Sequence, residues 1–190
     1  MRIVREITED EMVLEFIRAE VTSPSHPEYA QMVGGNLALY DGPLSDSNAN
    51  ALRREALARK RGYPRWLFGG IPLAAWKLAV VGVGELADLR HLKDDAWNDL
   101  TGGSRLVRDA AANADTSASP KAPDVLAVEG RVRNGESFPP IIALAENESV
   151  VPIILEGNTR AAAYVRALDP DDEVEAIVGY NPGLASWTFY

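Results

Sequence analysis

The chain has 190 residues, of which 46% are hydrophobic and 25% charged, enough for a sizeable core in one domain or one and a half. Its net charge is −9, so a nucleic-acid surface would have to come from a local basic patch, against the average field. It contains no cysteine, which excludes disulfides, thiolate nucleophiles, Cys-ligated zinc and Fe–S clusters.

Met1 to Arg5 carries no apolar signal core. The longest apolar-rich stretch, Ile71 to Val83, is too short for a bilayer and is interrupted by Lys77 and Gly82. A cytoplasmic protein without a membrane partner is expected. Residues 2–7 read as a strand. Thr8-Glu9-Asp10-Glu11 then forms a capping box, and Met12, Phe16 and Ile17 follow at helical spacing, predicting a helix from about Glu9 to Val21. Thr22 to Pro27 breaks it, and 33–50 reads as loop. A polar helix is expected over Asn48–Arg61, a longer one over about Leu73–Leu92, and a short one around Asp94–Leu100. After Thr101-Gly102-Gly103 another helix is expected from Ser104, with Leu106, Val107 and Ala110 on one side.

Asp115 to Pro123 has the composition of a linker. Past it the periodicity changes. Val125–Arg133 reads as helix, Phe138–Leu144 and Val150–Leu155 as strands around the turn-prone Glu146 to Ser149, Thr159–Leu168 as helix and Val174–Gly179 as a third strand. Near-continuous hydrophobicity in these strands predicts burial on both faces. The fold class is therefore α/β (α+β): a mostly helical N-terminal region over 1–115 packing on a small mixed-sheet core over 124–190.

The chemistry concentrates in Glu156-Gly157-Asn158-Thr159-Arg160. The apolar strand Ile153-Ile154-Leu155 delivers the chain to a glycine, which allows a tight turn and close backbone approach. The next residues open a helix whose first amides lack partners and carry the positive end of the dipole. Asn158 and Thr159 add short polar groups, either of which could cap the helix. Arg160 supplies a fork of donors suited to phosphate oxygens, and Ala161, Ala162 and Ala163 permit close packing on a sheet. The bland alternative is a glycine turn whose arginine pairs with a surface carboxylate.

Two further features complete the motif: Gly135-Glu136-Ser137-Phe138-Pro139-Pro140-Ile141-Ile142 entering the first strand, and a hairpin between the two strands. Together these residues, over about 125–178, resemble the ParB/sulfiredoxin superfamily. The resemblance implies a ParB-like nucleotide-binding core in which Gly157, Asn158, Thr159 and Arg160 hold phosphate. It implies a nucleoside triphosphate or diphosphate with Mg²⁺ as ligand. The departures are specific. Sulfiredoxin chemistry needs a cysteine. Partition proteins carry Gly-Glu-Arg-Arg where this chain has Gly157-Asn158-Thr159-Arg160, and have a helix-turn-helix for which no room is expected before Tyr190. Glu156 resembles the Asp-Gly-x-x-Arg variants, which include a free-serine kinase, but Thr159 stands where they usually carry histidine.

Among carboxylates, Glu156 is the candidate catalytic group: it could orient Mg²⁺, accept a proton, or bond the turn's amides. Glu129 and Glu136 are weaker candidates. Thr101-Gly102-Gly103-Ser104-Arg105 repeats the glycine-turn pattern, and Ser104 and Arg105 could form a second wall of the anion site. Arg53, Arg54, Arg59, Lys60, Arg61 and Arg65, followed by Trp66, form the one basic cluster, read either as a nucleic-acid patch or as a solvated helix face. Val81-Gly82-Val83-Gly84-Glu85 lacks a third glycine and a preceding strand, so it is rejected as a dinucleotide loop. His26 and His91 have no metal-ligand spacing, so no metal site is predicted. The four tryptophans read as core. The leading expectation is a nucleotide- or phosphate-binding protein, acting on a nucleotide or phosphorylated small molecule as phosphotransferase or hydrolase. Its rivals are a non-catalytic regulator with a protein partner and, less favoured, a nucleic-acid binder.

Overall fold

A computed structural model describes residues 1–21, 42–61 and 75–187, apart from the side chains of Lys60 and Arg61. Six strands form one sheet: β1 (Arg2–Ile7), β2 (Ala75–Gly82), β3 (Arg90–His91), β4 (Ile141–Ala145), β5 (Ile153–Glu156) and β6 (Glu173–Tyr180), in the order β1-β2-β6-β4-β5-β3. The pairs β6–β4 and β5–β3 are parallel and the others antiparallel. The chain is thus a mixed α/β fold.

Helices cover both faces. On one face lie α1 (Glu9–Val21) and α2 (Ser47–Arg61). Thr8 caps α1 as its sequence predicts, its hydroxyl accepting from the Glu11 amide at 3.2 Å. Asp46 caps α2 by accepting from the Asn48 and Ala49 amides. Met12, Val13, Phe16 and Ile17 join Leu57 over Trp76, Ile142, Leu144, Ile153 and Ile177 of the sheet. The other face carries α3 (Val83–Leu86), α4 (Asp95–Thr101), α5 (Val107–Asn113), α6 (Ala122–Arg133) and α7 (Asn158–Ala167). Its core joins Leu86, Leu100, Val107, Val125 and Ala161 to Ala163 to Val81, Ile141, Ile154 and Ala176. β4 is buried at every residue, as its unbroken apolar run requires.

Two sequence expectations are corrected here. The stretch read as one helix over Leu73–Leu92 is strand β2, the single turn α3 and strand β3. Ala75, Leu78, Ala79 and Lys77 have good helix propensity, but the segment is hydrogen-bonded on both sides, to β1 and to β6, and a complete ladder outweighs propensity. The helix expected from Ser104 begins at Val107, because Arg105 adopts φ +64° and breaks any helical run before it.

The sheet also bears on the two-part reading of the chain. Three of its strands come from residues 2–91 and three from 141–180, and β2 lies beside β6. The Asp115–Pro123 segment leads directly into α6 at Ala122, and its Ser119 is buried, donating to the Ala96 carbonyl at 2.7 Å.

Candidate functional site

β5 and β3 run parallel, with Arg90 opposite Ile153 and His91 opposite Ile154, so both deliver their carboxyl ends to the same side of the sheet. That is the side where ligands bind in open α/β sheets. β5 ends at Glu156, Gly157 takes φ +91°, and α7 starts at Asn158 with no side chain capping it. The first intrahelical bond is Ala161 N–H to Gly157 O at 2.9 Å. The amides of Asn158, Thr159 and Arg160 therefore point out of the helix end with the positive pole of its dipole.

Arg160 folds back over that end. A Cβ built on Gly157 would lie 2.8 Å from its Nη2 and 3.2 Å from its Nε, so the guanidinium rests against the N-cap residue. The side chain is only 8% exposed. Among the described residues its one hydrogen bond is long, Nη2 to Glu156 Oε1 at 3.4 Å, and Nε is buried without a partner. A guanidinium has five N–H donors, and leaving it buried and nearly unpartnered is costly unless an anion completes it. Tyr164, one turn on, stands edge-on to Phe138 at 6.4 Å. Burial raises the pKa of its hydroxyl, and the Arg160 charge partly offsets this.

Gly157 permits this packing in two ways, by its positive φ and by its missing side chain. Gly157→Ala is expected to lose about 1–2 kcal/mol from backbone strain and to push the guanidinium off the N-cap. Urea denaturation measures the first effect and phosphate titration the second.

The other residues of the motif divide. Thr159 is half-buried in the first turn and makes no side-chain hydrogen bond among the described residues. Asn158 turns its side chain inward: its Nδ2 donates to the Ile154 carbonyl at 3.3 Å, and its Oδ1 lies 2.9 Å from His91 Nδ1. The Asn158 side chain is thus engaged by the protein, and the residue has its backbone amide left for a ligand. Glu156 is half-buried, and its carboxylate leans on Arg160.

His91 is the residue that sequence reasoning missed. It is fully buried, stacked on Trp97 with ring centroids 4.1 Å apart and planes 9° from parallel. Burial pushes its pKa down to about 4, with the nearby Arg105 charge adding to this and the Asn158 bond opposing it. No spacing pattern could reveal it, because it reaches Asn158 across the parallel β3–β5 pair, 67 residues away in the chain.

Ser104 and Arg105 do not form a second phosphate wall. Ser104 is exposed and bonds the Thr101 carbonyl and Asp109. Arg105 donates from Nε and Nη2 to the His91 carbonyl, at 3.0 and 2.9 Å. Its left-handed backbone turns it toward β3, which is why the glycine-turn pattern misleads here. Glu129 is held by Arg166 and Arg133, and Glu136 by Arg131, so both serve ion pairs between or within elements.

The basic cluster is also partly internal. Arg53 is fully buried, donating to Asn50 Oδ1 and the Gly42 carbonyl at 2.6 Å each. Arg54 pairs with Asp10 and Arg59 with Glu55. The side chains of Lys60 and Arg61, and all of Arg65, Trp66 and His26, lie outside the described residues. Trp76, Trp97 and Trp187 are core residues.

A strand does precede Gly82-Val83-Gly84, contrary to expectation. Yet the amides of Val83 and Gly84 donate to the Asp172 and Pro170 carbonyls at 2.9 and 3.0 Å, so they are not presented to a phosphate. A groove of about 410 Å³, lined by Ile3, Val81, Glu85, Val151 and Tyr180 among others, borders the start of β5 rather than its end. Among the described residues there is no group of three His, Asp or Glu placed to hold a metal, and no helix long and apolar enough to cross a membrane.

A scan against family models and searches of curated proteins and of solved structures find no match to this chain.

Proposed function

We propose that this protein binds a phosphate-bearing small molecule, a nucleoside triphosphate or diphosphate in the leading form, at the N-terminus of α7. The observation that carries the reading is the buried Arg160 guanidinium, folded over Gly157 beside uncapped amides and nearly without partners among the described residues. The Asn158, Thr159 and Arg160 amides would hold one phosphate group and Arg160 would fork onto it. The same residues carry the ParB/sulfiredoxin resemblance. Mg²⁺ would arrive bound to the nucleotide, with Glu156 the carboxylate at hand. Thermal unfolding against inorganic phosphate, pyrophosphate and a nucleotide panel, with and without Mg²⁺, tests this in wild type and Arg160→Met. A ligand at about a hundred times its dissociation constant adds roughly 2.7 kcal/mol. A melting shift in wild type that disappears in the variant is expected; no shift with any probe would refute the reading.

One observation favours a non-catalytic regulator on the same scaffold over a phosphotransferase or hydrolase. Glu156 lies against Arg160, Oε1 to Nη2 at 3.4 Å, where its carboxylate partners the guanidinium rather than a nucleophile that it would have to deprotonate. On this second reading, wild type and Glu156→Gln show the same negligible nucleoside triphosphate turnover in a phosphate-release assay. Turnover that Glu156→Gln abolishes would instead identify an enzyme.

A further inference from the structure

Nothing in the motif explains why a histidine lies fully buried beside the anion turn, and its contacts give the answer. The ring's polar edge meets Asn158, the first residue of α7, with Nδ1 to Oδ1 at 2.9 Å. The Asn158 amide cannot turn round, because its Nδ2 already donates to the Ile154 carbonyl. Oδ1 therefore accepts, Nδ1 carries the proton, and Nε2 keeps its lone pair, buried and without a partner among the described residues. On its backbone side His91 is tied twice to Arg105. Its N–H donates to the Arg105 carbonyl at 2.7 Å, and the Arg105 side chain donates back to the His91 carbonyl. Trp97 of α4 covers the ring face. Stacking alone would be served equally by phenylalanine; only the bond to Asn158 needs an imidazole.

We propose that His91 is a positioning residue of the anion site, holding the first turn of α7 through Asn158 and joining it to the Gly102–Leu106 loop through Arg105. The proposal rests on the reading of the α7 N-terminus as a phosphate site. His91 touches no ligand. It sets the direction of the Asn158 and Thr159 amides by locking the Asn158 side chain, and oriented amides are what a helix end offers an anion. The loop carrying Arg105 thereby becomes a lever on phosphate affinity.

The test compares wild type, His91→Phe and His91→Asn for affinity toward inorganic phosphate and ATP by calorimetry. Phenylalanine keeps the stack on Trp97 and loses the bond to Asn158; asparagine can place an N–H where Nδ1 stood. His91→Phe is expected to weaken binding about tenfold, the scale of one positioning hydrogen bond, and His91→Asn to recover most of it. In a cycle with Asn158→Ala the losses should not add, since both remove the same bond. Equal affinity in wild type and His91→Phe would overturn the proposal while leaving the phosphate site standing. No binding by wild type would remove the site and the proposal together. Nitrogen NMR of the wild-type imidazole needs no variant to fold. A proton on Nδ1, with a response to added phosphate, is expected; a proton on Nε2 would overturn the assignment.

Discussion

Arg160→Met is expected to abolish phosphate binding while leaving the ligand-free protein as stable as wild type, or about 1 kcal/mol more stable. A residue kept for structure would behave in the opposite way. The guanidinium is more than nine-tenths buried, its hydrogen bond to Glu156 is long, and its Nε has no partner among the described residues. Desolvating such a cation opposes folding, and the single carboxylate beside it returns only part of that. Methionine has similar reach and flexibility and can occupy the space beside Gly157 without a charge. Glu156, one-fifth exposed, can then be hydrated. Chemical denaturation of the unliganded proteins and calorimetric titration with phosphate measure the two halves separately. Loss of several kcal/mol in the variant would mean that Arg160 serves the fold, and the phosphate reading would lose its main support. A stability held or gained together with lost binding is the trade expected of a functional site.

The part of this site that was legible in the sequence is the part that is local. A strand, a glycine, a helix start and an arginine lie within eight residues, and the structure places β5, Gly157 and α7 as that pattern predicts. The N-cap at Thr8, the α6 helix and the doubly buried β4 were equally readable, because each depends on spacing within a few residues. The other half of the expected capping box does not form, since the Glu11 carboxylate pairs with Arg5. What could not be read depends on partners distant in the chain. Ala75 to Gly82 becomes a strand because β1 and β6 pair with it, and its alanines and leucine say nothing of that. Read as helix, this segment leaves His91 no place in the sheet, and its meeting with Asn158 cannot be foreseen. Arg105 shows the converse error. Its glycine-rich setting looks like a phosphate turn, but a positive φ at a non-glycine residue, invisible in sequence, directs it to a backbone carbonyl. Arg53 looks like surface charge by composition, yet it faces inward, where Asn50 and the Gly42 carbonyl receive it.

Stability is expected to fall by about 3 kcal/mol as pH drops from 6.5 to 4, and His91→Gln is expected to lack most of that loss. The imidazole is buried and neutral in the folded protein, with its pKa lowered to about 4 from the ordinary 6.5. A group with a depressed folded pKa binds fewer protons when folded than when unfolded, so stability rises with pH between the two values. Its contribution is complete above about pH 6.5, declines through the interval, and is gone below about 4, at about 1.4 kcal/mol per pK unit. The charges around the ring agree with this sign. Arg105 faces it from the following loop, Lys121 lies 5.9 Å from the Trp97 ring, and among the described residues no carboxylate bonds the imidazole. Carboxylates held by cations, such as Glu129 and Glu136, also lose stability on acidification, but below their ordinary range rather than near pH 6. The difference between wild type and His91→Gln isolates the histidine, because every other group titrates in both. Urea midpoints at half-unit intervals from pH 4.5 to 7.5 provide the measurement. Parallel curves for the two proteins would show that acid reaches the ring without cost, and that its burial beside Asn158 is not maintained in solution. Converging curves, with wild type losing its advantage toward pH 4.5, would establish a neutral imidazole at the first turn of α7.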